Sequence, residues 1–477
     1  MPCRSRMADN HGGRTDATGL LHSMRQGKVT ALEVVSTHLD RLQLADDLLN
    51  AAVRVFRDEA IQEARNPRPG PLSGLPVSIK ETFGLRGQYV TAGSIRMEPL
   101  QFEQDATAVT RLKAAGAIVV ARTNVPEFAM AGETDNLRYG RTRNPLDPER
   151  TCGGSSGGEG AIVASGGSAA GLGSDILGSI RIPASFCGLV GFKPASQSVS
   201  KAGSWPQLAG CYTDSWLCAG PITRSVRDAR LMYQVLSGEQ IATGHDPGRL
   251  RLIQPAGFPL SFRSQTIPAA VDAAKEALAS AGMRIHSASL GNVRRWYHDM
   301  ARFLGWELLP LLEGQLAETD GRRLSLPREV IRRWRGRGEI YPGLLSLIAV
   351  GRLTRFRRRA AAMRVVERFE SARRNIYELL GEDGVLILPT LGTLAPRHGE
   401  MNRLSFRPGV NKLLTPLTLC NDLNLPAVTI PAWRMQDAAT GLPPGVMLVA
   451  RPGSEAMLLD VAEWAETSIG LPPSGGD

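Results

Sequence analysis

The chain is poor in cysteine and has no long apolar segment. Its 477 residues contain six cysteines, which are scattered without a CxxC pair or a histidine cluster beside them. This spacing argues for reduced thiols and against a disulfide framework or a zinc site. No run of about 18 apolar residues occurs, and the first residues lack the apolar core of a secretory signal peptide. We therefore expect a cytoplasmic protein without a membrane-spanning helix.

Most of the chain also lacks an excess of charge of either sign. The net charge is +10, but residues 322–364 contain thirteen arginines against two acidic residues, Glu329 and Glu339. The rest of the chain is therefore close to neutral. An apolar content of 43% with 21% charged residues is typical of a globular protein. The positive charge thus belongs to one surface and says little about a catalytic centre.

Helical and strand patterns alternate along the chain. Amphipathic spacing predicts two helices between about Thr15 and Arg65, followed by a break rich in proline and glycine at Asn66–Ser73. Residues 294–380 are predicted to be largely helical. Other patterns predict strands at Pro76–Lys80, Ala117–Ala121, Arg251–Gln254, Arg284–Ser287, Val385–Leu388, Leu425–Ile430 and Val446–Ala450, and helices at Thr107–Ala115, Gly160–Ser165, Pro268–Ala281 and Glu455–Glu466.

This alternation favours an α/β fold with a mostly parallel or mixed sheet covered by helices. No internal repeat and no long low-complexity linker occurs, so we expect one interwoven domain over residues 1–477. Within it we distinguish N-terminal helices (15–68), a core (69–232), a variable helical and arginine-rich insert (233–380) and a C-terminal part of the core (381–470).

An isolated lysine, Lys80, ends one predicted strand in the segment GLPVSIKETFG. A lysine can take a proton from a serine hydroxyl only when its own amine is neutral, and burial lowers its pKa in that direction. The apolar neighbours Ile79 and Phe83 favour partial burial of the Lys80 amine. The alternative is an ordinary solvated lysine at the end of a strand.

Two glycine-serine segments accompany this lysine. The first, Gly153–Gly158, allows the backbone to approach a ligand closely. The second, Gly178-Ser179, follows an apolar strand-like segment, and a serine in such a turn with converging N–H groups can build an oxyanion hole. Lys80, Ser155 and Ser179 are therefore candidates for a relay that activates a serine without histidine.

Three other interpretations apply to the first glycine-serine segment. The plainest is a flexible loop. A Walker A phosphate loop is excluded, because no Gly-Lys-Ser/Thr follows the glycines. The segment also matches a nucleophile elbow, but the two prolines of Asn144–Arg150 rule out the strand that an elbow needs upstream. The downstream histidine of an elbow is left open by His245, His286, His298 and His398.

Several motifs surround these residues in a fixed order. They are GLPVSIKETF, TAGS at Thr91–Ser94, RTNVPEF at Arg122–Phe128, YGRTRNP at Tyr139–Pro145, GGSSGGEGA and GSDILGSIRIPASFCGLVGFKP. Together they resemble the amidase signature family from about Gly74 to Asp228, with weaker matches in LPAVTIP and LPPGVMLVARP. The GGSSGGEG form, with TLAPRHG, is most similar to the fatty-acid amide hydrolase branch.

The resemblance implies a role for each candidate residue. Lys80 takes the place of the general base, Ser179 that of the nucleophile, and Ser155 that of the bridging serine with a cis peptide. Ser156 matches a supporting serine. The oxyanion hole corresponds to the backbone N–H groups of Ile176, Leu177, Gly178 and Ser179. The resemblance further implies an acyl-enzyme on Ser179, a central mixed β-sheet flanked on both sides by α-helices, and no metal or cofactor.

One residue departs from the Asp-Ile-Gly-Gly-Ser pattern of the family, because Leu177 stands in place of the first glycine. If the turn needed a positive φ there, leucine would add roughly 1–2 kcal/mol of strain. Its side chain would also narrow the acyl pocket or tilt the N–H donors. We expect a working enzyme with altered selectivity, and the alternative is a catalytically weakened amidase-like binding protein.

Residues 332–359 read basic, apolar, basic, and Trp334 lies within the first basic stretch. Such a segment suits the face of an anionic membrane, and in the fatty-acid amide branch lipid substrates enter from a membrane-facing cap. The alternative is a half-buried helix with solvated arginines. Nucleic-acid binding is not expected, because no interleaved aromatic pattern accompanies the arginines. We therefore leave peripheral membrane contact open, and a homodimer likewise.

The leading functional prediction is a serine amidohydrolase acting on a small-molecule or lipid amide. A second enzymatic interpretation is the glutaminase component of a tRNA-dependent amidotransferase, which shares the signature and needs partner proteins. The GGSSGGEG form argues mildly against this second interpretation.

Overall fold

The computed structural model describes residues 15–291, 293, 295–316, 324–404 and 410–470. Arg322 and Arg323 of the basic segment lie outside these described residues.

The described strands form one 11-stranded sheet and a separate two-stranded ribbon of β3 and β4. The strands are β1 (Ala52–Val55), β2 (Pro76–Lys80), β3 (Tyr89–Val90), β4 (Leu100–Gln101), β5 (Ile118–Thr123), β6 (Ala170–Asp175), β7 (Val190–Lys193), β8 (Cys218–Thr223), β9 (Arg251–Ala256), β10 (Arg284–Ser289), β11 (Gly384–Pro389), β12 (Ala427–Pro431) and β13 (Gly445–Val449).

The α-helices lie between these strands and at both ends of the described chain. They are α1 (Ala17–Arg25), α2 (Ala31–Leu49), α3 (Arg57–Arg65), α4 (Thr107–Ala114), α5 (Gly157–Ser165), α6 (Arg181–Cys187), α7 (Val226–Ser237), α8 (Thr266–Ser280), α9 (Trp296–Gln315), α10 (Leu326–Trp334), α11 (Pro342–Thr354), α12 (Arg359–Leu380), α13 (Glu400–Leu404), α14 (Val410–Asp422) and α15 (Glu455–Ile469).

The large sheet is mixed. Its order is β1-β5-β2-β6-β8-β7-β12-β13-β11-β9-β10. Strands β5, β2 and β6 run parallel to one another, as do β11, β9 and β10. The strands from β6 through β8, β7, β12 and β13 to β11 pair antiparallel. Because β2 and β6 are parallel neighbours, their carboxyl ends lie at the same edge of the sheet.

Both faces of this sheet are buried against helices. On β13, Val446 and Leu448 belong to one apolar cluster, which includes residues of α7, α8 and α15. The alternate residues Met447 and Val449 belong to a second cluster, with residues of α9 and α12. Successive side chains of a strand point to opposite faces, so the predicted α/β architecture, a central mixed β-sheet flanked on both sides by α-helices, is confirmed.

The sequence patterns place most elements within two or three residues of their observed ends. The N-terminal segment is one exception, because it holds three helices and strand β1 instead of two helices. Helix α2 ends where Asn50 adopts a left-handed conformation, with φ of 51°. The carboxylate of Asp46 then accepts hydrogen bonds from the N–H groups of Ala51 and Ala52. This turn directs four residues into β1, antiparallel to β5.

Residues 294–380 are largely helical where they are described, as the sequence predicts. Their apolar stretch is less exposed than the basic-apolar-basic pattern suggests. Ile340, Leu344 and Ile348 are buried in a cluster that also contains residues of α9. The most exposed apolar side chains lie instead at the end of α10 and of α11, where Trp334 is 87% and Leu353 81% exposed. None of the described helices is both long and apolar enough to span a bilayer.

Candidate active site

Lys80 lies at the carboxyl end of β2, and its side chain is completely buried. Its Nζ is 2.8 Å from Ser155 Oγ, 2.9 Å from Ser174 Oγ and 3.3 Å from the carbonyl oxygen of Ser174. Burial lowers the pKa of Lys80 from 10.5 to about 7, although the nearby carboxylates of Asp175 and Glu159 oppose this shift. The alternative of a solvated lysine is therefore wrong.

The glycine-serine loop brings Ser155 to Lys80 through an unusual backbone path. Gly153 has φ of 84°, and the peptide between Gly154 and Ser155 is cis, as the family resemblance implies. A Cβ on Gly154 would lie only 2.6 Å from the carbonyl oxygen of Ala131, so glycine is required there. The loop is thus packed against its neighbours, in contrast to the flexible loop considered as an alternative.

The nucleophile-elbow interpretation finds no support around this loop. The residues before Gly153 contribute only isolated bridges, such as Arg143–Thr151, and no strand. No histidine is among the described residues that line the cavity beside Ser155. His245 instead contacts Asp460, and His398 contacts Pro148.

Ser179 lies in the turn between β6 and α6, and it lines the same cavity as Ser155 and Ser174. Its carbonyl oxygen accepts a hydrogen bond of 3.1 Å from the N–H of Ser156. The Ser156 hydroxyl donates to the carbonyl oxygen of Ser174 at 3.3 Å. The two glycine-serine segments are therefore bonded to each other, and Ser156 fixes their relative position. Within the described chain, Ser179 Oγ itself has no hydrogen-bond partner.

The turn that carries Ser179 is organised by the carboxylate of Asp175. This carboxylate accepts hydrogen bonds from the N–H groups of Gly178 at 2.7 Å and Ile180 at 3.0 Å. By contrast, no described residue accepts a hydrogen bond from the N–H groups of Ile176, Leu177 and Ser179. Three free N–H groups in one tight turn form a concentrated set of donors for an oxygen that develops negative charge.

Asp175 is held in turn by a buried ion pair with Arg181. Nε and Nη2 of Arg181 each lie 3.1 Å from a carboxylate oxygen, and both side chains are fully buried. Burial alone would raise the pKa of the Asp175 carboxyl, but Arg181 more than reverses this and holds the pKa well below its usual range. Asn421 of α14 completes the network, donating to Asp175 Oδ1 at 2.9 Å and accepting from Arg181 at 2.5 Å.

Leu177 does not strain this turn. Among the described non-glycine residues, those with positive φ are Asn50, Ala92, Phe128, Ala129 and Asn424. The positive φ of the turn, 103°, falls on Gly178 instead. The side chain of Leu177 packs against the apolar cluster of α9, α12 and α14 and is not among the residues that line the cavity. The expectation that it narrows the acyl pocket therefore lacks support from its position.

A cavity of about 270 Å³ opens in front of Ser155 and Ser179. Its described walls contain no charged side chain, and their polar groups are the serines and two glutamines, Gln207 and Gln315. The remaining walls are Leu100, Phe128, Ala129, Met130, Ile176, Trp205, Pro206, Leu208, Leu217, Leu308, Leu311 and Leu312. Such a lining suits an apolar ligand with a few polar atoms.

Sequence reasoning did not identify Ser174 and Glu159, two residues that form hydrogen bonds around the candidate catalytic residues. Ser174 supplies two of the three oxygen contacts of Lys80, but no sequence pattern singles it out. Glu159 is completely buried under β2 and β5, where it accepts hydrogen bonds from Ser78 at 2.5 Å and Thr123 at 2.7 Å. Burial raises the pKa of Glu159 to about 8. The acidic residue in GGSSGGEG was the signal that could have identified it.

The fold and the site define an amide hydrolase. A family model described as Amidase matches residues 33–459, and the chain belongs to this family. It is 30% identical over 485 residues to the fatty-acid amide hydrolase 2-B of Danio rerio, covering 95% of this chain and 89% of that protein. It is 32% identical to a glutamyl-tRNA(Gln) amidotransferase subunit of Oleidesulfovibrio alaskensis, covering 94% and 96%.

Solved structures give the same result. A structure described as an amidase is 28% identical and superposes with a TM-score of 0.78, covering 96% of this chain and all of the other. The structure of 6-aminohexanoate cyclic dimer hydrolase with its substrate is 26% identical and has a TM-score of 0.79, covering 95% and 97%. The predicted family and the enzyme class are thus confirmed.

Proposed function

We propose that this amide hydrolase acts through an acyl-enzyme on Ser179, with Lys80 as the base and Ser155 as the bridge between them. The contact of 2.8 Å between the buried Lys80 Nζ and Ser155 Oγ is the observation that carries this proposal. An amine with a pKa of about 7 is partly neutral near neutral pH. It therefore has the protonation state that a base requires without any histidine.

In the acylation step, Ser155 transfers its proton to Lys80 and takes the proton of Ser179. Ser179 Oγ attacks the carbonyl carbon of the amide, and the N–H groups of Ile176, Leu177 and Ser179 stabilise the resulting oxyanion. We do not assign this role to Gly178, because its N–H donates to Asp175. The proton returns through Ser155 to the leaving nitrogen as the C–N bond breaks. Water then hydrolyses the ester by the same relay.

The substrate we propose is an amide with a lipophilic acyl group. Glutamine carries a charged amine and a charged carboxylate, and the described walls of the cavity contain no charged side chain that would compensate for their loss of water. The apolar cavity therefore favours a lipophilic amide over the glutaminase alternative. The free N–H groups around Leu177 likewise favour a working catalyst over a weakened binding protein.

A fluorophosphonate probe tests this assignment. We expect the probe to label the wild-type protein, and the variants Ser179→Ala, Ser155→Ala and Lys80→Met to lose labelling. Ser280→Ala, a change at a serine on α8 remote from the site, is the control and should label normally. A matched panel of medium-chain fatty amides, anilides and glutamine should show hydrolysis of the first two classes. Labelling that survives Ser179→Ala would refute the role of this serine.

We also propose that the protein is cytoplasmic with peripheral membrane contact through residues 332–359. The support is two exposed apolar side chains, Trp334 at the end of α10 and Leu353 at the end of α11, together with the arginines near each of them in the sequence. Amphipathic surfaces of this kind bind anionic bilayers through apolar insertion and charge attraction. In liposome flotation we expect binding that requires anionic lipid and is weakened by salt.

The flotation test compares a double variant, Trp334→Ala with Leu353→Ala, with the control variant Leu44→Ala. Leu44 is 77% exposed on α2, far along the chain from the basic segment. The double variant should lose flotation, and the control should keep it. Flotation that is absent for the wild-type protein, or that is equal on neutral lipid, would contradict this part of the proposal.

A further inference from the structure

The motif TLAPRHG, here called the TLAPRHG segment (residues 393–399), has no part in the mechanism proposed above. The structure describes all of its residues, and none of them lines the cavity in front of Ser155 and Ser179. It lies instead against the backbone that leads into the glycine-serine loop, and against a buried carboxylate beside that loop. It therefore connects the last part of the chain to the loop that carries Ser155.

The TLAPRHG segment is bonded to the residues that precede the glycine-serine loop. The N–H of Thr151 donates to the carbonyl oxygen of Pro396 at 3.0 Å. Nε2 of His398 lies 2.9 Å from the carbonyl oxygen of Pro148, a contact between residues 250 positions apart in the chain. Because the carbonyl oxygen can only accept, Nε2 is the donor of this bond. The start of the loop is thus held by backbone and side chain of one distant segment.

The TLAPRHG segment also holds the carboxylate of Glu133, whose side chain is completely buried. Both carboxylate oxygens accept from the N–H of Gly399, at 2.7 and 3.0 Å. One of them also lies 3.4 Å from Nδ1 of His398. A buried carboxylate that loses such partners is strongly destabilised. The position of Glu133 is therefore tied to that of the segment.

The backbone around Glu133 supports the glycine-serine loop directly. A Cβ on Gly154 would lie only 2.8 Å from the backbone nitrogen of Glu133, so the two backbones are in close contact. The hydroxyl of Thr134 donates to the carbonyl oxygen of Gly153 at 2.9 Å. A displacement of Glu133 would therefore move the peptide that carries Ser155.

We propose that Glu133 and His398 are positioning residues for Ser155, acting through the TLAPRHG segment. This inference rests on the proposed function, because it takes Ser155 as the bridge between Lys80 and Ser179. The contacts before the loop and at Glu133 together keep Ser155 Oγ at 2.8 Å from Lys80 Nζ. A displacement of about 1 Å at such a group costs on the order of 10²-fold in rate. Since neither positioning residue lines the cavity, their loss should act on kcat and not on KM.

Hydrolysis of the panel amide that the wild-type protein cleaves fastest tests this proposal, with kcat and KM measured on the full-length protein. Glu133→Leu removes the acceptor for the N–H of Gly399. It should lower kcat by about 10²-fold and leave KM within about twofold. Glu133→Gln should keep kcat within about fivefold, because its amide oxygen can accept from Gly399 while its N–H donates to Nδ1 of His398.

Glu466→Leu is the matched control. Both carboxylate oxygens of Glu466 likewise accept from one backbone N–H, that of Val226, at 3.0 and 3.1 Å. Glu466 lines no part of the catalytic cavity. Its replacement should lower the midpoint of thermal unfolding but leave kcat unchanged. Wild-type kcat in folded Glu133→Leu would overturn the proposal, and so would equal losses of kcat in Glu133→Leu and Glu466→Leu.

Two variants of His398 keep the proposal testable if Glu133→Leu does not fold. His398→Gln retains an N–H donor for the carbonyl oxygen of Pro148, whereas His398→Leu has none. We expect His398→Leu to lower kcat by about tenfold or more at unchanged KM, and His398→Gln to restore most of it. Equal kcat in the two variants would overturn the positioning role.

Ser155→Ala, measured in the same assay, tests the proposed function separately. Wild-type kcat in Ser155→Ala would refute the relay itself. An inactive Ser155→Ala together with wild-type kcat in folded Glu133→Leu would refute the positioning role alone.

Discussion

At the scale of single residues, burial lowers the pKa of Lys80 and so suits it to the proposed role of base. Its pKa of about 7, against 10.5 for an ordinary lysine, follows from a completely buried amine. The proposed base is the neutral form, which increases as the pH rises through this value. We therefore expect kcat/KM for an uncharged amide to rise with pH through about 7 and to level off above it. A profile of kcat/KM against pH measures this rise, which is called the limb below.

Glu159→Gln is the control for this assignment. Burial raises the pKa of Glu159 to about 8, so this carboxyl is mainly neutral where Lys80 titrates. Glu159→Gln should therefore leave the rise in rate near pH 7. Lys80→Met should remove the limb and lower the rate by about 10²-fold or more. A wild-type rate that is constant from about pH 6 to pH 8 would contradict the role of Lys80.

Leu177 leads to a second prediction at this scale. Its backbone is unstrained and its side chain packs against an apolar cluster instead of lining the cavity. Leu177→Gly should therefore destabilise the fold by about 1–3 kcal/mol, through lost burial and greater freedom of the unfolded chain. We expect the preference among acyl chains to stay within about threefold, since the cavity wall is unchanged.

Thermal unfolding and the amide panel together measure both effects of Leu177→Gly. A large change in acyl preference with unchanged stability would show that Leu177 acts on the substrate after all. Failure of both forms to hydrolyse any amide would end the catalytic interpretation.

At the scale of elements, the sequence predicts long periodic segments well and local turns poorly. Strand Pro76–Lys80 is observed with the predicted bounds, because alternating apolar residues and flanking turn residues define it. Strand β1 was missed, because it has four residues and depends on the Asp46 carboxylate that directs the chain after α2. Strands β7 and β8 were also missed, because β7 has only four residues and β8 contains Gly220 and Pro221, which interrupt a strand pattern.

The same limit applies to the site. Lys80, Ser155 and Ser179 could be selected as candidates because each lies in a continuous sequence motif. Asn421 was not, because it contacts Asp175 from 246 residues along the chain. No periodic pattern encodes a contact of this kind. It arises only when α14 packs beside the turn after β6.

The turn between β6 and α6 gives a prediction that contrasts two ion pairs. Arg181 and Asp175 are both fully buried, whereas Arg227 is 58% exposed in its pair with Asp16. Arg181→Met leaves a buried carboxylate without its partner, so it should destabilise the fold by about 3–5 kcal/mol. Arg227→Met should cost about 0–1 kcal/mol, because solvent screens the exposed pair.

Chemical denaturation of both variants measures this contrast. Arg181→Met should also slow the reaction of any folded fraction with the fluorophosphonate probe, because Asp175 then no longer holds the turn. Equal loss of stability in the two variants would contradict the structural role of the buried pair.

At the scale of the whole molecule, one sheet joins distant parts of the chain. Strands β12, β13 and β11 lie between β7 and β9 in the sheet, although they come from the last hundred residues of the chain. We infer from this that the chain folds as one interwoven unit over its four segments. The homodimer stays a prediction, which sedimentation measurements can decide.

A truncation tests the inference of one folding unit. A fragment of residues 1–380 would lack β11, β12 and β13, and β7 and β9 would each lose a neighbour. We expect this fragment to show no cooperative unfolding transition in circular dichroism, since unpaired strand edges and both apolar faces would be exposed. A fragment that melts cooperatively would show that the segments are separable.

The contacts of Asn421 also have a consequence for the order of events on the ribosome. The proposed nucleophile, Ser179, is synthesised early, but Asn421, which donates to Asp175 in the same turn, follows Asp175 by 246 residues. In a nascent chain, the turn of Ser179 therefore lacks its hydrogen bond from Asn421 until α14 has left the exit tunnel. We therefore expect a translation product that stops before Asn421 to lack this contact with Asp175 and to be inactive.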